Sequence, residues 1–319
     1  MKKLNSLVTR LSMLACSVLF FSCHQNSSSP TDTPTTGEIK IGVDESFAPI
    51  LESHVDTFMG LYKYAKINAQ YAPEGQVMQA LLQDSIRLAV ATRPLNKEEK
   101  AAFEREKITP TVIKIAIDGI ALIINKTNTD TTLTMQQVRD IFTGKATNWN
   151  QVTGAGTNGP ITIVFDNSNS STARYILDSI NFKQPLPGNT YATKSNRNLV
   201  DYIAQNKNAI GVIGVNWISD RDDSTTTNFL DKVNVVGIST KTNPTSVEDY
   251  IQPYQAYLAQ GTYPLRREVF IISREARTGL GTGFASFVSG DKGQRIILKS
   301  GLVPASMPVR IVGFSEEEE

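Results

Sequence analysis

At 319 residues, with 40% hydrophobic and 20% charged residues, the chain has an ordinary globular composition and is too long for one average domain. It fits two lobes of roughly 100 to 150 residues each. A formal net charge of +1 with no Lys/Arg-rich run excludes the basic stripe that nucleic-acid binders carry.

Lys2, Lys3 and Arg10 precede an apolar run over 11–21, and Ser22 stands before Cys23. Residues 1–22 therefore read as a targeting segment, with a run too short to span a bilayer as a mature helix. The pattern resembles a bacterial lipoprotein signal, which implies an exported body anchored to a membrane by lipid on Cys23. Its removal takes the formal charge from +1 to −2. Lipidation would leave no cysteine in the folded part, so neither a disulfide nor a thiolate metal site is available there. Residues 23–37, rich in Ser, Thr and Pro, read as a flexible tether.

The periodicities of the folded part then run strand (38–43), helix (50–64), strand (66–71), helix (76–84) and strand (87–92). That alternation is the signature of a parallel α/β sheet, in which ligands gather beyond the carboxyl ends of strands. The loops at Asp44, Ser46 and Phe47 and at Thr92 and Arg93 occupy such ends. A charged helix follows over 96–107, and two strand-like runs, 111–117 and 119–125, flank Asp118-Gly119. That dipeptide is either a bend in one long strand or the place where the chain crosses into a second lobe. The second half is again α/β, with helices over 134–142 and 198–206 and strands over 209–215 and 233–237. A strand over 263–273 carries the chain back, and helices over 281–288 and 293–299 close it. The acidic residues 315–319 read as a solvated tail.

In the middle, a β-branched run over 161–165 passes through Asp166-Asn-Ser-Asn-Ser-Ser-Thr172 into a helix over 173–180. A strand, a hydroxyl-rich loop and a helix start make an anion cradle, because the first turn leaves backbone N–H groups unpaired at the positive end of the helix dipole. Asn169, Ser170, Ser171 and Thr172 are the donors. The plainer role for Ser170 or Ser171 is to cap the helix.

Three stretches resemble the periplasmic phosphate-binding protein family, the extracytoplasmic receptors of phosphate ABC transporters. Phe142-Thr-Gly-Lys145 with Trp149 is similar to that family's Phe-Ser/Thr-Gly-Lys segment, and Ala209-Ile-Gly-Val-Ile-Gly214 to its Ala-Ile-Gly strand. Tyr263-Pro-Leu-Arg-Arg267, Gly293-Gln294 and Gly301-Leu-Val-Pro304 follow its C-terminal pattern. The resemblance implies an α/β, two-lobed periplasmic-binding-protein (Venus-flytrap) fold, each lobe a mainly parallel sheet flanked by helices. Lobe 1 would comprise residues 38–119 and 262–314, and lobe 2 residues 120–261. It also implies a monomeric binding protein, without cofactor or metal, that closes on phosphate and delivers it to an ABC transporter permease.

The expected ligand set is Ser46, Phe47, Thr92 and Arg93 facing Asn169, Ser170, Ser171 and Thr172. The family's central loop opens on Arg and carries glycines, whereas here Asp166 takes the Arg position. Arg93 and Arg174 are the candidates for the anion's charge partner, since a guanidinium fork suits an oxyanion. Asp44 and Asp166, and less so Asp118, are candidate acceptors for a protonated oxyanion. Sulfate or molybdate is the competing ligand. A serine-dependent exported hydrolase is the competing class, with His54 as the one histidine of the body. An adhesion or scavenging lipoprotein on the same fold is a third reading.

Overall fold

Residues 32–154, 156–219 and 224–309 are described by a computed structural model of the chain. The expected signal segment, Cys23 and the acidic tail lie outside these residues. Within them, the first strand, β1 (Gly37–Asp44), runs through a 3-10 turn at Glu45–Phe47 into α1 (Ala48–Leu61), and then β2 (Ala65–Ala72), α2 (Glu74–Leu82), β3 (Leu88–Ala91) and α3 (Lys97–Arg105) follow. A single 15-residue strand, β4 (Thr111–Asn125), comes next.

The second half contains β5 (Thr132–Thr134), α4 (Met135–Phe142), β6 (Thr162–Phe165), α5 (Ser171–Ser179), β7 (Thr190–Ala192), α6 (Asn196–Gln205) and β8 (Ala209–Gly214). The chain continues through α7 (Asn216–Ser219), α8 (Ser224–Lys232), β9 (Val233–Val235), β10 (Gly237–Ser239) and α9 (Gln255–Gln260). It returns through β11 (Arg266–Ser273), α10 (Leu280–Ser289), α11 (Asp291–Lys299) and β12 (Val303–Pro304).

The sheet order is β2-β1-β3-β11-β4-β8-β6-β7. Pairing is parallel for β1 with β2 and β3, and for β6 with β7 and β8. The antiparallel strand pairs all involve β4 or β11, and β4 is the strand that joins the two halves. β4 does so by changing partner along its length: β11 lies against Thr111 to Gly119, while β8 lies against Ile120 to Ile124. A methyl group on Gly119 would come within 2.8 Å of Leu258 and 2.9 Å of Val215, so only a bare backbone passes at this change of partner. Asp118-Gly119 is thus both a point within one strand and the place where the chain moves from one half-sheet to the other.

Each half has its own core. In lobe 1, alternate residues of β3 face opposite sides of the sheet. Leu88 and Val90 join Ile41, Val43, Phe58 and Phe284 on one side, while Ala89 and Ala91 join Val77, Met78, Leu81 and Phe103 on the other. Trp149, Phe142, Phe165, Ile123 and Ile210 anchor the core of lobe 2. Burial of several such side chains, at about 1.5 to 3 kcal/mol each, is what holds the strand ends, and hence the loops beyond them, in place.

Some boundaries differ from expectation for local reasons. The segment taken as tether is partly structured: Thr33 and Thr36 pair with each other, Asp32 Oδ1 accepts the Leu280 N–H at 2.8 Å at the head of α10, and β1 begins at Gly37. The run 233–237 is two short strands, β9 on β4 and β10 on β5. The central helix starts at Ser171, since Ser170 holds extended backbone angles and its hydroxyl accepts the Ala173 N–H. No helix among the described residues is long and apolar enough to cross a membrane.

Candidate functional site

The site forms where β1, β3 and β11 of lobe 1 meet the start of α5 and the end of β8 from lobe 2. Its centre is Arg267. Antiparallel pairing sets Arg267 directly opposite Asp118, and Nε donates to Asp118 Oδ2 at 2.8 Å. Nη1 donates to Ser171 Oγ at 2.8 Å, and the guanidinium lies over the Phe47 ring at 5.1 Å from its centroid. Nη2 has no partner although it is buried. Burial pushes the Arg267 pKa down, but Asp118 and Asp44 outweigh it and hold the group above its ordinary value, so the positive charge is permanent. Gly214 ends β8 beside it; a methyl there would stand 3.4 Å from Nη2 and 2.8 Å from Asn216 Oδ1.

Ser46 and Ser171 bring the two lobes together. Their hydroxyl oxygens are 3.3 Å apart, and both residues are fully buried. The Ser46 carbonyl accepts Asn216 Nδ2 at 2.6 Å and Trp217 Nε1 at 2.9 Å, which fixes the 3-10 turn against α7. Phe47 heads α1, so its backbone lies at the positive end of that helix. Asp44 Oδ1 accepts the Ser46 N–H at 3.1 Å, while Oδ2 is buried without a partner. Burial pushes the Asp44 carboxyl up to about 7, with the Arg267 charge pulling against it. Asp118 is likewise raised by burial, against the pull of Arg267.

The remaining expected residues serve other partners. The Ser170 hydroxyl donates to Asn167 O at 2.8 Å and caps α5, and Thr172 Oγ1 donates to Asp166 Oδ1 at 2.7 Å. Both hydroxyls are therefore engaged within their own loop, as the capping role required. Asp166 is buried with Oδ2 unpartnered, and burial raises its pKa. Asn169 is exposed. Arg93 makes a two-pronged pair with Glu99 at 2.7 and 2.8 Å on its own lobe. Thr92 gives its N–H and hydroxyl to Glu74 Oε1 at 2.6 and 2.7 Å. Arg174 donates to Glu74 Oε2 at 2.6 Å, to Thr92 Oγ1 at 2.7 Å and to Asp178 at 3.0 Å.

Asp44, Ser46, Phe47 and Ser171 are thus gathered around Arg267, while Arg93 and Arg174 lie apart from it and pair with Glu99 and with Glu74 and Asp178. Arg267 was visible in the sequence as part of a motif, and one signal could have singled it out: period two along 266–269 puts it on the face of buried Val269, with Arg266 and Glu268 facing away. Glu74 and Asn216 had no such signal. His54 has both ring nitrogens against carbonyl oxygens, Ile50 at 2.8 Å and Gly293 at 3.0 Å, and burial lowers its pKa. It is a packed core residue, committed away from the cleft serines. Among the described residues no group of three or more His, Cys, Asp and Glu is placed to hold a metal.

Two α/β lobes joined through one continuous strand, with a buried guanidinium and hydroxyls from both lobes where they meet, define the class of two-lobed solute-binding proteins. The chain belongs to the PBP superfamily, whose domain model matches residues 28–292. It is 27% identical over 287 residues to the phosphate-binding protein PstS of Staphylococcus epidermidis, covering 88% of this chain and 84% of that protein. To PstS of Staphylococcus aureus strain USA300 it is 26% identical over 285 residues, covering 88% and 83%. Among solved structures, a putative phosphate ABC transporter substrate-binding protein with bound phosphate from Clostridium perfringens superposes with a TM-score of 0.71 at 24% identity, covering 85% of this chain and all of that one. An ABC-type phosphate transport receptor from Vibrio cholerae gives 0.63 at 20% identity, covering 84% and 100%.

Proposed function

We propose that this chain captures inorganic phosphate between its lobes, outside the cytoplasm, and delivers it to an ABC transporter permease, with lipid on Cys23 holding the monomeric receptor at the membrane. The observation that carries the reading is Arg267: a buried, permanently charged fork with Nη2 unpartnered, set where hydroxyls of both lobes converge. Leaving a buried guanidinium nitrogen unpaired costs free energy, and an oxyanion removes that cost through two charge-assisted hydrogen bonds. Ser46, Ser171 and the start of α1 supply further donors. Ligand contacts to both lobes favour the closed arrangement over an open one, so binding shifts a hinge equilibrium. A permease reads the closed shape.

Phosphate is favoured over sulfate by Asp44. Its buried Oδ2 has no partner, and once ionised, as pH rises through about 7, it accepts a hydrogen bond from the proton that phosphate still carries there, whereas sulfate has none. Titration calorimetry of the protein from residue 24 onward, stripped of endogenous anion, tests the assignment. Phosphate is expected to bind and sulfate and molybdate are not; the reverse order would sink it.

A further inference from the structure

The donors expected to hold the ligand's outer side are already holding a carboxylate of the protein itself. Glu74 opens α2 and is 2% exposed. Its Oε1 takes the backbone N–H and hydroxyl of Thr92 from lobe 1, and its Oε2 takes Nε of Arg174 from lobe 2 at 2.6 Å. Arg174 also donates Nη2 to Thr92 Oγ1 at 2.7 Å. An amide, a hydroxyl and a guanidinium drawn from two lobes are what a bound oxyanion would recruit, and here they converge on a side chain. Burial pushes the Glu74 pKa up, but Arg174 and Thr92 outweigh it and hold the group ionised. A cleft of about 370 Å³ lined by Glu74, Arg93, Asn169 and Arg174 opens the pair to solvent on one side, so it breaks without dragging a charge through the core.

We propose that Glu74 is a latch between the lobes: its carboxylate bridges Thr92 of lobe 1 to Arg174 of lobe 2 and so raises the share of closed protein on which the anion's own contacts then build. The proposal rests on the reading that the lobes open and close about the site. It makes Glu74 a positioning residue that sets how far closure depends on ligand. Because binding affinity scales with the fraction of protein already in the competent arrangement, the latch tightens binding although its charge has the sign of the ligand's.

Those two effects of Glu74 are opposite in sign, which makes the test decisive. Removing a negative charge beside an anion site strengthens anion binding; removing a latch weakens it. Small-angle scattering of the mature protein is expected to show wild type contracting on adding phosphate from an anion-free state that the latch already holds partly closed. Glu74→Ala is expected to expand when anion-free, to contract on adding phosphate, and to bind phosphate roughly 10-fold more weakly. Arg174→Met, at a partly exposed position, asks the same question if Glu74→Ala folds poorly, and the double variant is expected to be no weaker than either single one. Tighter binding by Glu74→Ala, or anion-free scattering identical to wild type in both variants, overturns the latch. If no variant and no wild-type protein binds phosphate, the ligand assignment fails, while the anion-free scattering still decides whether Glu74 holds the lobes together.

Discussion

Two arginines from opposite lobes approach the same cleft and do different things there. Arg267 and its partner Asp118 have side chains only 2% and 0% exposed, yet Nη2 of Arg267 and Oδ1 of Asp118 have no partner. Arg174 is 28% exposed, and its three nitrogens all have partners in Glu74, Thr92 and Asp178. The difference lies in what surrounds each fork. A strand-borne arginine is held rigidly across from one carboxylate and presents its remaining N–H groups in a fixed direction. The helix-borne Arg174 at the rim gives its nitrogens to two buried acceptors, Glu74 and Thr92, and to the exposed Asp178. Burial with incomplete pairing is what the proposed binding role asks of Arg267, and complete pairing is what the proposed latch asks of Arg174.

The comparison breaks most sharply at Arg267. Arg267→Ala strands Asp118 as a buried charge, so a loss of about 3 to 5 kcal/mol in stability is expected by urea unfolding, together with loss of phosphate binding. Arg267→Lys keeps the charge but not the fork, and calorimetry should find a folded protein binding phosphate on the order of 100-fold more weakly.

Asp44 sharpens the picture through pH. Burial raises its pKa from 3.8 to about 7, so the folded protein retains a proton that the unfolded chain gives up. The resulting stabilisation is complete below pH 3.8 and is lost as pH rises through about 7, at up to about 1.4 kcal/mol per pH unit. In Asp44→Asn the unfolding free energy should fall less steeply over that window than in the wild type; an unchanged slope would show that Asp44 is ionised throughout.

Ser171→Ala removes the hydroxyl that Arg267 and Ser46 share, and phosphate affinity is expected to drop about 10-fold, the size of one hydrogen bond to a charged group. Arg93→Ala is the smallest change in affinity. Its two-pronged pair with Glu99 is local to lobe 1 and largely buried, so stability should fall by about 1.5 to 3 kcal/mol, with phosphate affinity within about twofold of wild type. A large affinity loss there would return Arg93 to the ligand set.

Much of this architecture was legible without coordinates. The alternation of period-two and period-3.6 segments fixed an α/β fold, and the loops at Ser46 and Ser171 lie at a strand end and a helix start, where hydroxyls and unpaired amides are a local consequence of the chain. Ser170 is as much a cap as its position demanded. Asp118 reads from the sequence as a bend or crossover residue and a lesser acceptor candidate, not as an arginine's partner, because nothing within a few positions of it reveals a partner that lies 149 residues away.

The electrostatics, by contrast, come from packing in three dimensions. Arg93, Arg174 and Arg267 are alike as letters, and the periodicity of one strand says which way a side chain points but not what stands opposite. The register of β11 against β4 puts Arg267 on Asp118, and the meeting of the lobes gives Arg174 to Glu74. Secondary structure follows from neighbours in sequence, whereas pairing of buried charges follows from neighbours in space, and those are set by packing of the whole sheet.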